Sequence, residues 1–102
     1  MKTLINGQWT NRKNEKQSND GSFKRKDTEF RNWITSDGSP GETGGGGFKA
    51  ESGRYHLYVS LACPWAHRAL IFRKLKNLER HIGVSIVHPI MLENGWEFRT
   101  DF

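Results

Sequence analysis

Cysteine is nearly absent: Cys63 is the one thiol in 102 residues, so no disulfide can form within the chain. No apolar run approaches the roughly 20 residues needed to cross a bilayer. The opening Met1-Lys2-Thr3-Leu4-Ile5-Asn6-Gly7 also lacks the apolar stretch of an export signal. A free thiol without an export signal fits a reducing compartment, so the expected location is cytoplasmic, with no membrane partner. Apolar residues are scarce as well, at 34% with a mean hydropathy of −0.77, so any core must be concentrated in part of the chain.

Charge is not segregated. Residues 1–40 carry 8 Lys and Arg against 5 Asp and Glu, and residues 41–102 carry 8 against 6. The excess of +5 is therefore spread along the chain, with no basic stripe and no nucleic-acid motif, and no nucleic-acid partner is expected. His56, His81 and His88 have no metal-ligand spacing with Cys63, which argues against a metal site.

Residues 1–32 are rich in Lys, Arg, Asn, Asp and Ser, with scattered apolar residues such as Trp9, Phe23 and Phe30, and read as an irregular arm. Gly38 to Gly47 then read as a flexible, glycine-rich connector. A phosphate-cradling loop would need Gly-Lys-Ser/Thr, whereas Gly47 precedes Phe48-Lys49-Ala50. The expected division is a polar arm and linker over 1–47 and a structured unit over 48–102.

From Arg54 the pattern changes. Tyr55, Leu57, Val59 and Leu61 fall on one face at period two, which predicts a strand. Cys63-Pro64 ends it, because proline lacks an N–H and is favoured at the first helical position. Ile71, Leu75 and Leu78, extended by Ala66, Ala69 and Leu70, predict a helix from Trp65 to about Glu79 with that stripe facing inward. Val84 to His88 predicts a second strand after Gly83. Strand, helix, strand in this order implies a parallel βαβ pair, hence an α/β fold.

That placement gives Cys63 its chemistry. A thiol attacks as thiolate, and a free thiol with an ordinary pKa of about 8.5 is only slightly ionised at neutral pH. At the start of a helix, unpaired N–H groups and the positive dipole end favour an anion. Redox proteins of this design usually carry a resolving cysteine three residues on, and here that position is Ala66. A mixed disulfide on Cys63 must then be released by an external thiol, for which glutathione is the obvious candidate. His67 and Arg68 read mainly as polar helix surface.

The run Arg54-Tyr55-His56-Leu57-Tyr58-Val59-Ser60-Leu61-Ala62-Cys63-Pro64-Trp65-Ala66-His67-Arg68 resembles the N-terminal region of the glutathionyl-hydroquinone reductases, the Xi class of glutathione transferases. Pro89-Ile90-Met91, Gly95-Trp96-Glu97-Phe98 and the glycine-rich approach from Gly44 to Phe48 are also similar to that family's, so the resemblance covers nearly the whole chain. It implies a partial thioredoxin-like fold, with the rest of that domain and a helical second domain not represented in these residues. It further implies a thiol transferase that takes glutathione from glutathionyl-hydroquinones: Cys63 would be the catalytic nucleophile, and Trp96, Pro64 and Trp65 would bind glutathione. Glutathione would be co-substrate, glutathionylated quinols the partners, and homo-oligomers are expected of the full-length family. The competing expectation is an inactive fragment that docks through an exposed sheet edge.

Overall fold

A computed structural model describes residues 2–11 and 27–101. The expectation of an irregular arm over 12–26, including Phe23, lies outside the described residues. At the N-terminus β1 (Lys2–Ile5) and β2 (Gln8–Asn11) pair antiparallel, with Leu4 opposite Trp9. Within an arm read as largely irregular, residues 2–11 thus form a hairpin, while 27–32 carry no regular structure. The cause of the hairpin is local: Asn6 and Gly7 both take positive φ, 50° and 77°, as a two-residue hairpin turn demands.

The glycine-rich segment is also more ordered than composition suggests. β3 (Trp33–Thr35) pairs parallel with β4 (Gly47–Lys49), so Gly47 is itself a strand residue. The loop between them folds over Trp33. The Trp33 indole N–H donates to Thr43 Oγ1 at 2.7 Å, the Thr43 hydroxyl donates to the Arg31 carbonyl at 2.7 Å, and the Gly46 N–H donates to Asn32 Oδ1 at 3.1 Å. At the loop's other end the Ser39 hydroxyl and backbone N–H bond Asp37, holding its carboxyl below the ordinary range.

The second half holds β5 (Tyr55–Ser60), α1 (Pro64–Leu75) and β6 (Ile82–Val87). β5 and β6 pair parallel from Tyr55 opposite Ile82 to Ser60 opposite Val87. The expected strand, helix and strand are all present, with shifted ends. α1 stops at Leu75 because Asn77 adopts a left-handed φ of 55°, and Asn77 and Leu78 N–H donate back to the Lys74 and Arg73 carbonyls. That reversed pair of bonds satisfies the last carbonyls of a helix and ends it. β6 starts two residues earlier than Val84. It includes Gly83, where an added Cβ would lie 3.0 Å from the His56 ring across the pair.

The inward face of α1 keeps part of the expected stripe and loses Ile71 and Leu75 from it. Ala66, Ala69, Leu70 and Arg73 are half-buried, whereas Ile71 is exposed and Leu75 is 69% exposed. Apolar residues occur all round this helix, so spacing alone does not single out a face. Arg73 helps decide it: its guanidinium donates to the Ile82 carbonyl at 2.8 Å and the Glu79 carbonyl at 3.2 Å, tying α1 to the start of β6.

Among the described residues the buried apolar side chains are Val59 and Val87, 3% and 8% exposed, at the carboxyl end of the β5–β6 pair. Phe30, Trp65, Phe72 and Leu75 stay exposed. So small a buried core gives little cooperativity. A urea titration of the 102-residue chain followed by circular dichroism is expected to give a broad transition, with a slope below the roughly 1 kcal/mol/M of small two-state domains. A sharp two-state curve would contradict this.

Candidate functional site

The carboxyl end of β5 turns directly into the thiol. Ser60, 2% exposed, accepts the Ala62 N–H on its hydroxyl at 3.2 Å, and its carbonyl accepts the Cys63 N–H at 3.1 Å. These bonds form a tight bend that delivers Cys63 to the N-cap of α1 with extended φ and ψ of −94° and 117°. Pro64 takes the first helical position, where its missing N–H costs nothing. The Cys63 carbonyl accepts the His67 N–H at 3.0 Å, the first bond of the helix.

The thiol itself is free and half-buried, and it makes no capping hydrogen bond. The N–H groups of the first turn therefore remain available to an anion at this sulfur or to a ligand beside it. No acidic residue lies in the first turn to oppose that charge. Trp65 follows at 62% exposure, with the Arg68 guanidinium 4.8 Å from its ring centroid, so its indole has one face covered by a cation.

Trp96 arrives from a different segment. Because Ser60 is opposite Val87 in a parallel pair, the chain leaves β6 at the same end of the sheet at which it leaves β5 for Cys63. Beyond β6 it loops out and back: Leu92 and Gly95 exchange backbone bonds of 3.2 and 3.0 Å, and the His88 N–H donates to the Glu97 carbonyl at 2.8 Å. Trp96, next to that anchor, is 40% exposed. Open α/β sheets bind ligands at the carboxyl ends of their strands, the end that carries Cys63 and the Trp96 loop.

The register thus puts Cys63, Pro64 and Trp65 and the anchored base of the Trp96 loop at the carboxyl end of the sheet, without packing Trp96 on the other three. Cys63, Pro64 and Trp65 are consecutive, and among the described residues no hydrogen bond or ring contact joins Trp96 to them. An apolar cavity of about 440 Å³ lies at the opposite, amino end of the strands, between Ile34, Tyr55, Leu78 and Ile82. It has no part in the chemistry of the thiol. Sequence reading missed the buried pair Ser60 and His88 behind the site.

No protein-family model matches the chain. It is 60% identical over 102 residues to the glutathionyl-hydroquinone reductase YqjG of Escherichia coli K12, covering all of this chain and 31% of that protein. The glutathione-bound structure of YqjG superimposes with a TM-score of 0.67 at 71% identity, over 72% of this chain and 24% of the other. The Xi class glutathione transferase of Natrialba magadii superimposes with a TM-score of 0.66 at 45% identity, over 97% and 26%. The chain therefore spans about a third, or less, of the length of these relatives.

Proposed function

Because this chain belongs, as a match to the N-terminal part, to the family of glutathionyl-hydroquinone reductases, the Xi class of glutathione transferases, we propose that it carries the glutathione-side half of a thiol-transfer site. The carrying observation is the free, half-buried thiol of Cys63 at the start of α1, at the same sheet edge as the Trp96 loop.

In the proposed reaction the Cys63 sulfur attacks the glutathionyl sulfur of an aryl thioether. A Cys63–glutathione disulfide forms, the carbon–sulfur bond breaks, and the ring carbon takes a proton to leave as hydroquinone. A second glutathione then attacks the mixed disulfide, returning the thiol and leaving as glutathione disulfide. The first-turn amides stabilise the sulfur anion that attacks and is later expelled. Trp96 covers bound glutathione as an aromatic wall, and Pro64 and Trp65 form the lip beside the thiol. Residues 48–102 supply these parts, and the reducing cytoplasm keeps the thiol free.

The test is to give the reduced chain a glutathionyl-hydroquinone and follow hydroquinone release together with the mass of the protein. Gain of one glutathionyl group on Cys63, removed by added glutathione, is the expected result. No mass gain at any substrate concentration would sink the reading. A second reading, a docking module without chemistry, draws on the exposed Trp65, Ile71, Phe72 and Leu75 of α1 and predicts that outcome.

A further inference from the structure

His88 and Ser60 are the buried polar residues among those described, and Ser60 is accounted for by the turn to Cys63. His88 is only 5% exposed, and the proposed chemistry leaves it no role. Its surroundings supply one.

The residue follows the last residue of β6, and its Nδ1 accepts the Ile90 N–H at 3.1 Å. A ring nitrogen that accepts carries no proton, so in the neutral ring the proton sits on Nε2. Pro89 lies between the two groups, with its φ fixed and no N–H to compete. The bond from a side chain to the amide two residues on is the kind that asparagine and aspartate make when they start a turn. On its other flank His88 donates its own N–H to the Glu97 carbonyl at 2.8 Å. One residue thus holds both ends of the excursion over 89–97, the outgoing end through its imidazole and the returning end through its amide. Trp96 is the last residue before the returning anchor.

We propose that His88 is a positioning residue for Trp96: its imidazole fixes the exit turn at Ile90 so that the loop returns Trp96 to the sheet edge that carries Cys63. The inference rests on the proposed function where it takes Trp96 as a wall for glutathione, but the positioning itself does not depend on any ligand.

The geometry makes an unusual demand on substitutions. Asparagine, with an acceptor oxygen at the place of Nδ1, should rebuild the turn, whereas leucine of similar bulk should not. The test compares the full chain with His88→Leu and His88→Asn by NMR, with the Trp96 indole N–H identified by its loss in Trp96→Phe. In His88→Leu the Trp96 indole resonance is expected to move toward that of a free indole. The Ile90 amide is expected to exchange about tenfold faster, and the dissociation constant for glutathione to rise about tenfold, as losing a buried hydrogen bond implies. The alkylation rate of Cys63 should not change. His88→Asn should restore all three altered values to within about twofold. An unmoved Trp96 indole in His88→Leu, or His88→Asn behaving as His88→Leu does, would overturn the proposal. If His88→Leu fails to fold, His88→Gln takes its place, since its longer amide cannot close the same turn. If the unaltered chain binds no glutathione, the proposed function fails, while the indole and Ile90 amide still decide the role of His88.

Discussion

Replacing Cys63 by serine is expected to abolish glutathionyl transfer while leaving α1 intact or slightly more stable. The two effects have separate causes. An alcohol oxygen cannot form a mixed disulfide, so attack on a glutathionyl sulfur has no covalent product to hold, and turnover falls to the uncatalysed background. The same oxygen is a better helix cap than sulfur. Cys63 stands at the N-cap with no side-chain capping bond, and serine there gains roughly 0.5–2 kcal/mol over residues that do not cap. Mass spectrometry after exposure to a glutathionyl-hydroquinone should show no adduct, and circular dichroism should show equal or greater helix. An adduct persisting in Cys63→Ser would move the chemistry to another residue. Lost helix would mean that the thiol holds the turn in a way the backbone geometry does not reveal.

The second large effect is expected at Gly44, far from the thiol. Gly44 has a left-handed φ of 82°, and an added Cβ would lie 2.3 Å from Asn32 Oδ1 and 2.8 to 2.9 Å from the Arg31 backbone. The left-handed conformation alone costs about 1–2 kcal/mol for a residue with a side chain. The Arg31 backbone cannot rotate away as a flexible side chain would. Asn32 is also the acceptor for the Gly46 N–H, and its neighbour Trp33 is bonded to Thr43, so displacing Asn32 releases the loop from both anchors. In Gly44→Ala the Gly46 amide and the Trp33 indole N–H are expected to lose exchange protection on the order of 30-fold, the equivalent of about 2 kcal/mol. Unchanged protection at both would show that the loop does not depend on this close approach. Because the readout is local, it holds for a chain whose global unfolding is broad.

How much of this was legible beforehand depends on the range of the forces involved. The Tyr55, Leu57, Val59 alternation identified β5 and the face that carries Val59, because a strand's side chains alternate whatever surrounds it. Leu61 continued the pattern on paper, but it lies past the end of β5 and is exposed. The early stop of α1 was readable in principle, since Asn77 is a residue that tolerates the left-handed conformation. Instead the apolar spacing to Leu78 carried the expected helix past it. The N-terminal hairpin was legible too, in Asn6-Gly7, but the polar composition of the arm masked that signal.

By itself the sequence determined the strand, the bend at Cys63-Pro64 and the helix that begins there, because proline's missing N–H, backbone sterics and side-chain alternation act between neighbours. It placed Ala66, Ala69 and Leu70 on the inward side of α1 but could not exclude Ile71 and Leu75 from it, since apolar residues lie all round the helix and Arg73 reaches a carbonyl nine residues on. Nor could it order the glycine-rich loop, whose shape comes from Trp33, Asn32 and Thr43 meeting across the turn. The order of the elements already implied that β5 and β6 run parallel, but their register, Ser60 opposite Val87, and the closure of the Trp96 loop between His88 and Glu97 came only with the tertiary structure. Pairing between strands separated by a helix is a contact between distant parts of the chain, and its outcome is written in no single stretch of residues.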